Sequence, residues 1–196
     1  MTMRAALTAT FLACGLGGAA NATTVTFDDL PYVGAPNVAA LPAVYGGITW
    51  NADWGYFSWD HPPYNASSPP NRVVDATGIQ STLPFSFVSP KVFAGADFAG
   101  GAGVEIKYTL VSGGAVVATS PWVVISGTPA FLPSGYAGNV DTVIVDTTLV
   151  GHWVMDDVTY SPGLAAAPEP GTWALMLLGL AGVGAGLRFQ SRKSIA

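Results

Sequence analysis

Residues 104–111 read VEIKYTLV and carry the clearest period-two pattern in the chain. The apolar members share one face, and they are Val104, Ile106, Tyr108 and Leu110. This alternation predicts a half-buried β-strand, because successive side chains of a strand point to opposite sides of a sheet. A Ser-Gly-Gly triplet and a second apolar run follow it, which together predict a β-hairpin.

Similar strand-forming segments recur about every ten residues on both sides of this hairpin, separated by glycine and proline. They are residues 24–30, 46–50, 84–88, 91–98, 121–125, 140–146 and 152–160. Because no stretch between them has a helical period, we predict an all-β domain over residues 23–160, an antiparallel, jelly-roll-like β-sandwich. Residues 51–83 are rich in proline and are predicted to form a long irregular loop.

The amino terminus, residues 1–22, has the pattern of a secretory signal peptide. Arg4 supplies the positive charge, an apolar run follows, and Ala20-Asn21-Ala22 is a site for signal peptidase. The single cysteine, Cys14, lies inside this segment, so the processed chain is expected to have no disulfide, thiol nucleophile or cysteine-bound zinc.

The predicted domain is strongly acidic. Residues 23–167 hold three basic and eleven acidic side chains, a formal charge of 3 − 11 = −8. A surface with this charge repels phosphate backbones, and the sequence has no basic patch to compensate. Nucleic acid is therefore excluded as a partner.

The carboxyl terminus differs from the rest of the chain. Residues 161–170 have the composition of a linker, and residues 171–187 form an uncharged stretch of 17 residues. A helix of that length spans about 25 Å, which predicts a transmembrane helix. The basic residues that follow predict a cytoplasmic tail over 188–196, since cationic flanks stay inside.

The same tail carries Pro168, Glu169 and Pro170 before the apolar span and Arg188 after it. This order resembles the PEP-CTERM sorting signal of exosortase substrates. The resemblance implies that the Pro-Glu-Pro motif is read by an exosortase and that the membrane helix is removed afterwards. It further implies export through the inner membrane of a Gram-negative bacterium, then delivery to the cell surface or extracellular matrix.

A run of aromatic residues, 48–64, gives the domain its candidate ligand site. Exposed aromatic rings pack on sugar rings, and neighbouring carboxylates and amides hydrogen-bond hydroxyl groups. The candidates are Trp54, Tyr56, Trp59, Asp60 and Tyr64. In a single strand Trp50, Trp54 and Tyr56 share one face and Phe57 and Trp59 the other, so core and ligand roles are both expected.

Two Asp pairs predict a candidate metal site. Asp28 and Asp29 lie near the first strand, and Asp156 and Asp157 lie in the last one. If the ends of the domain meet, four carboxylates come together, which suits a structural calcium ion. The ending "WVMDDVTY" is similar to the last strand of galactose-binding-like carbohydrate modules, which implies the same ion. Acids making turn hydrogen bonds are the alternative.

The sequence contains no G-x-S-x-G, H-E-x-x-H or P-loop motif, and its two histidines lie far apart. We therefore expect no catalysis and a surface or matrix protein that binds exopolysaccharide. Two alternatives stay open: a secreted glycan-active enzyme that uses carboxylates of the 51–83 loop, and a purely structural matrix or adhesion protein.

Overall fold

The computed structural model describes residues 21–164, Gly171 and residues 174–182. The chain divides into two compact units, Met1–Gly163 and Leu164–Ala196. Almost all of the predicted signal peptide lies outside the described residues. So do the basic tail and the four residues of the sorting motif, which are Pro168, Glu169, Pro170 and Arg188.

The described part of the first unit is built from thirteen β-strands, and every pairing between them is antiparallel. The strands are β1 (Thr23–Val25), β2 (Ala39–Ala40), β3 (Val44–Tyr45), β4 (Ile48–Trp50), β5 (Trp54–Phe57), β6 (Arg72–Asp75), β7 (Thr82–Gly100), β8 (Glu105–Ser112), β9 (Ala115–Thr119), β10 (Val123–Val124), β11 (Ala130–Pro133), β12 (Val140–Thr147) and β13 (Trp153–Pro162). The all-β prediction is confirmed.

Strand β7 is 19 residues long and belongs to two layers. Its first half pairs with β12 and β4, and its second half pairs with β13 and β11. Strands β8, β9 and β10 extend the first layer, whereas β6, β5 and β2 extend the second. The result is sandwich-like, and the finer jelly-roll assignment stays a prediction.

One apolar core lies between the layers. Tyr108 of β8 contacts Phe93 and Phe98 from the second half of β7, with ring centroids 5.0 and 5.8 Å apart. Trp54 of β5 contacts Phe85 from the first half of β7 at 6.1 Å. These contacts join the layers through aromatic side chains that are almost fully buried.

The alternation in residues 104–111 is confirmed. Val104, Ile106, Tyr108 and Leu110 each have a relative exposure of 0%, while the polar residues between them are half-buried. The hairpin prediction is also confirmed, since β8 turns into β9 and Ser112 lies opposite Ala115.

The prediction of an irregular loop over residues 51–83 is wrong in part. Two strands, β5 and β6, lie inside it and pair with each other, and β6 also pairs with β13. The prolines of this segment lie in the connection between β5 and β6. The residues of the two strands can therefore donate their backbone N–H groups to the sheet. Strand β13 also continues to Pro162, two residues into the predicted linker.

In the second unit, Gly171 and residues 174–182 are helical. Leu175, Met176, Leu177, Leu178 and Leu180 are exposed there. Within the described part of the chain, no helix is both long and apolar enough to cross a membrane. The transmembrane helix over 171–187 includes residues outside the described ones, so it stays a prediction.

Candidate functional site

The outer face of the second layer carries a small apolar cluster separate from the main core. It consists of Phe57, Ala99 and Val154, with Trp59, Tyr64 and Val74 packed against it. Phe57 is the last residue of β5, and the chain then continues through Trp59 to a turn that begins at His61. The cluster forms because period two turns Phe57 and Trp59 away from the core that Trp54 and Tyr56 enter.

A cavity of about 170 Å³ opens at this cluster. Four residues with aromatic or imidazole rings line it, and they are Phe57, Trp59, His61 and Tyr64. Its remaining wall comes from Val38, Val74, Asp75, Gly151, Trp153 and Val154. We call it the aromatic cavity.

The rings of the aromatic cavity are held by each other and by hydrogen bonds at their polar ends. His61 lies 4.2 Å from the Trp59 ring and 5.1 Å from the Tyr64 ring, between their centroids. Trp59 Nε1 donates to the carbonyl of Asn37 at 3.2 Å, and Tyr64 Oη lies 3.1 Å from His152 Nδ1. The polar atoms of Trp59 and Tyr64 thus already have partners. Ring surface of these two half-buried side chains, and of the exposed His61, lines the cavity.

A second cavity, of about 240 Å³, is lined in part by the two residues that alternate with these rings, Ser58 and Asp60. We call it the polar cavity; its walls are Ser58, Asp60, Asn65, Ala66, Pro69, Pro70 and Arg72. Arg72 is almost fully buried, and its guanidinium lies 4.2 Å from the centroid of the Phe57 ring. It donates to the carbonyls of Pro70 and Trp59, so it connects the linings of both cavities.

Two of the five predicted ligand residues require correction. Trp54 and Tyr56 have relative exposures of 0% and 5% and belong to the main core, so neither offers a ring to a ligand. Trp59 and Tyr64 line the aromatic cavity and Asp60 lines the polar one. The aromatic run therefore divides between core and surface, as its period predicts.

The predicted acidic residues do not all converge. Asp29 accepts a hydrogen bond from Tyr45. Asp156 Oδ2 accepts the backbone N–H groups of Ser67 at 2.9 Å and Ser68 at 2.8 Å, while Asp157 Oδ1 accepts the Ser68 hydroxyl at 2.7 Å. These bonds fasten the connection between β5 and β6 to β13.

Asp28 and a residue that the sequence did not single out, Asp97, complete the surroundings of Asp156. Asn71 N donates to Asp28 at 3.3 Å, and the Ser67 hydroxyl donates to Asp97 at 3.0 Å. Burial, with the charges of Asp157 and Asp28, raises the pKa of Asp156 to about 8, against the lowering effect of its hydrogen bonds. Burial also raises the pKa of Asp97.

Among the described residues, no group of three or more His, Cys, Asp or Glu side chains is arranged to hold a metal ion. Asp28, Asp156 and Asp157 instead accept hydrogen bonds from the β5–β6 connection, and Asp29 serves Tyr45. A structural calcium ion therefore stays a prediction that the geometry does not strengthen.

Sequence reasoning missed His61, His152 and Phe57 as members of the site. The two histidines are 91 positions apart, and the link through Tyr64 depends on how β13 and the β5–β6 connection pack. A usable signal was present for His61, since it continues the odd-numbered series that begins at Phe57 and Trp59.

The fold and site define an all-β domain with an aromatic surface cavity, on a chain that continues into a separate carboxyl-terminal unit. The model of the PEP-CTERM protein-sorting motif matches residues 166–193, so the chain carries this motif. The motif marks it for export and for sorting by an exosortase system to the cell surface. No curated protein and no solved structure matches the chain.

Proposed function

We propose that the β-domain is a non-catalytic carbohydrate-binding module, which the sorting signal delivers to the cell surface to hold exopolysaccharide. The observation that carries this proposal is the aromatic cavity, in which ring surfaces of Trp59, His61 and Tyr64 are available beside a recess the size of a single sugar ring. Exposed aromatic ring surfaces suit ligands that have apolar C–H faces, as sugar rings do.

The rigidity of the cavity supports binding. The Trp59 and Tyr64 side chains are each tied by a hydrogen bond to a different part of the domain, at Asn37 and His152. A ligand therefore does not have to order these rings on arrival, which lowers the entropy cost of association.

The placement of carboxylates supports binding without cleavage. Glycoside hydrolysis generally needs a pair of carboxyl groups facing one bond. Asp75 is the one carboxylate among the described lining residues of the aromatic cavity, and its oxygens already accept from Thr77 and Gln80. Asp60 belongs to the polar cavity, and Asp156 is covered by the Ser67–Ser68 backbone. Sustained turnover of any bound glycan would overturn the non-catalytic assignment.

We expect Trp59→Ala to weaken glycan binding about 30-fold, or ~2 kcal/mol, because central aromatic residues of a site contribute this much. The measurement is a glycan array with the full-length chain, followed by titration of each glycan that binds. The full-length chain is handled in detergent, because the helix of the second unit exposes five large apolar side chains. This detergent must lack a sugar headgroup, since a glycoside detergent would compete with the glycans for the cavity.

The matched control is Trp122→Ala. Trp122 is also exposed, but it precedes β10 in the other layer and packs on Lys107, 4.7 Å from its ring centroid. The control should bind like the unmodified chain. Equal binding by both variants, or no glycan bound by the unmodified chain, would refute the site.

The sorting proposal makes a separate prediction. Replacing Pro168, Glu169 and Pro170 with alanine should stop removal of the tail, because these residues are the part of the sorting motif that an exosortase is proposed to read. Intact mass measurement of the exported chain in the producing cells should then find residues 171–196 still attached. An Ala-substituted Glu105 on β8 serves as the control, and equal tail removal in the two variants would contradict the prediction.

A further inference from the structure

We infer that the polar cavity is a second sugar subsite, so that the domain binds an uncharged oligosaccharide of at least two rings across the Phe57–Asn65 segment. This inference rests on the proposed carbohydrate-binding function and extends it to the chemistry and length of the ligand.

The alternation of side chains along the segment places the two cavities on either side of one stretch of backbone. Phe57, Trp59 and His61 line the aromatic cavity, whereas Ser58 and Asp60 line the polar cavity. The backbone between them is fixed by Arg72, which donates to the Trp59 carbonyl and stacks on Phe57. A chain of sugar rings that crosses this stretch of backbone would therefore meet a different chemistry on each side.

The polar cavity has unused hydrogen-bonding capacity suited to hydroxyl groups. The Asp60 carboxylate accepts no hydrogen bond from any described residue and is exposed. Asn65 donates its amide to the Gly127 carbonyl, which leaves its side-chain oxygen without a donor among the described groups. Both are acceptors with free capacity, so the hydroxyl groups of a neutral polyol would satisfy them.

Charge selects against an acidic glycan. Asp60 and Asp75 line the two cavities, and Arg72 is the one cation among the residues described as lining them. That cation is almost fully buried, and its Nε–H is enclosed rather than presented to solvent. With a formal charge of −8 on residues 23–167, the domain is expected to repel uronate or sulfated chains.

The test is a titration of the full-length chain with neutral oligosaccharides of one to four residues from the gluco, manno, galacto and xylo series. Oligouronates of equal length form a second arm. We expect the best neutral trisaccharide to bind at least tenfold more tightly than its monosaccharide, and the oligouronates to bind at least tenfold more weakly than neutral chains of their length.

Asp60→Ala should abolish the gain in affinity from chain length. Asp60 makes no bond that the fold needs, so this variant is expected to fold. Glu105→Ala removes an equal charge on β8 and should behave like the unmodified chain. Trp59→Ala should weaken binding at every length.

The outcomes separate the two proposals. If monosaccharides and trisaccharides bind equally, or if Asp60→Ala keeps the full gain from chain length, the second subsite is refuted and the aromatic cavity stands. If oligouronates bind as well as neutral chains, the preference for an uncharged ligand is refuted. If no sugar of any length binds the unmodified chain, both proposals fail.

Discussion

Replacing Trp54 with alanine is expected to lower the free energy of unfolding by about 4 kcal/mol, the usual cost of removing a fully buried tryptophan. Trp54 has no exposed surface and packs against Trp50, Phe85 and Trp153, with ring centroids 5.2, 6.1 and 5.8 Å away. Its Nε1 also donates to the Pro84 carbonyl at 2.8 Å, so the substitution leaves a cavity and an unsatisfied acceptor.

Urea denaturation followed by far-UV circular dichroism measures this loss, with Trp122→Ala as the control. Trp122 is 44% exposed, and its loss should cost less than about 1 kcal/mol. A second variant, Trp54→Phe, separates core from ligand roles. It should keep sugar affinity within about twofold, since the ring never reaches the cavity. Equal costs for the two alanine variants, or loss of sugar binding in Trp54→Phe, would contradict the burial of Trp54.

Stability is expected to fall as the pH rises from about 4 to 8, because Asp156 binds a proton more tightly in the folded chain. Its folded pKa is about 8, whereas an unfolded Asp has a pKa near ~3.9. The raised pKa therefore makes its full contribution to the free energy of unfolding below the pKa of the unfolded chain. This contribution is lost as the pH rises through the pKa of the folded chain. The contribution amounts to up to about 5 kcal/mol, with a slope of at most about 1.4 kcal/mol per pH unit.

Several charged groups set this pKa from different elements. Asp157 adjoins Asp156 on β13, Asp28 follows β1, and Arg72 of β6 is the nearby cation. Asp97 of β7 shares Ser67 with Asp156. Its own pKa is raised by burial, so it adds to the effect in the same direction.

The decisive variant is Asp156→Asn, which resembles the protonated acid at every pH. Urea denaturation of both chains at each pH cancels the groups they share. The variant should match the unmodified chain near pH 4 and be the more stable of the two above pH 8. A constant difference between the two curves across this range would show that Asp156 does not titrate there.

The period of side chains in the sequence predicted more of this structure than composition did. It correctly located the buried face of β8. It did so because a strand alternates its faces wherever it lies in the fold. Strands β5 and β6 were missed because prolines close to them obscured a pattern of only four residues each.

The acidic residues illustrate what a linear pattern does not contain. Adjacent residues of a regular strand face opposite ways, yet Asp156 and Asp157 both bond to Ser68. The reason is an irregularity in β13, where the pairing with β7 shifts between Asp156 and Thr159 and Asp157 has a φ of 49°. Asp28 and Asp29 follow Phe27, which has a φ of 63°, and lie in a turn closed by a hydrogen bond from Leu30 N to the Phe27 carbonyl at 3.1 Å, so they do not alternate as strand residues would.

Strand β13 also separates the aromatic cavity from the end of the β-domain. Trp153 and Val154 at its beginning belong to the wall of the aromatic cavity, and Pro162 at its end leads towards the sorting signal. Ten residues of strand span roughly 30 Å. The aromatic cavity therefore lies near one end of β13 and the chain leaves the strand at the other, so a sugar bound as proposed would be held away from the point where the chain leaves the domain.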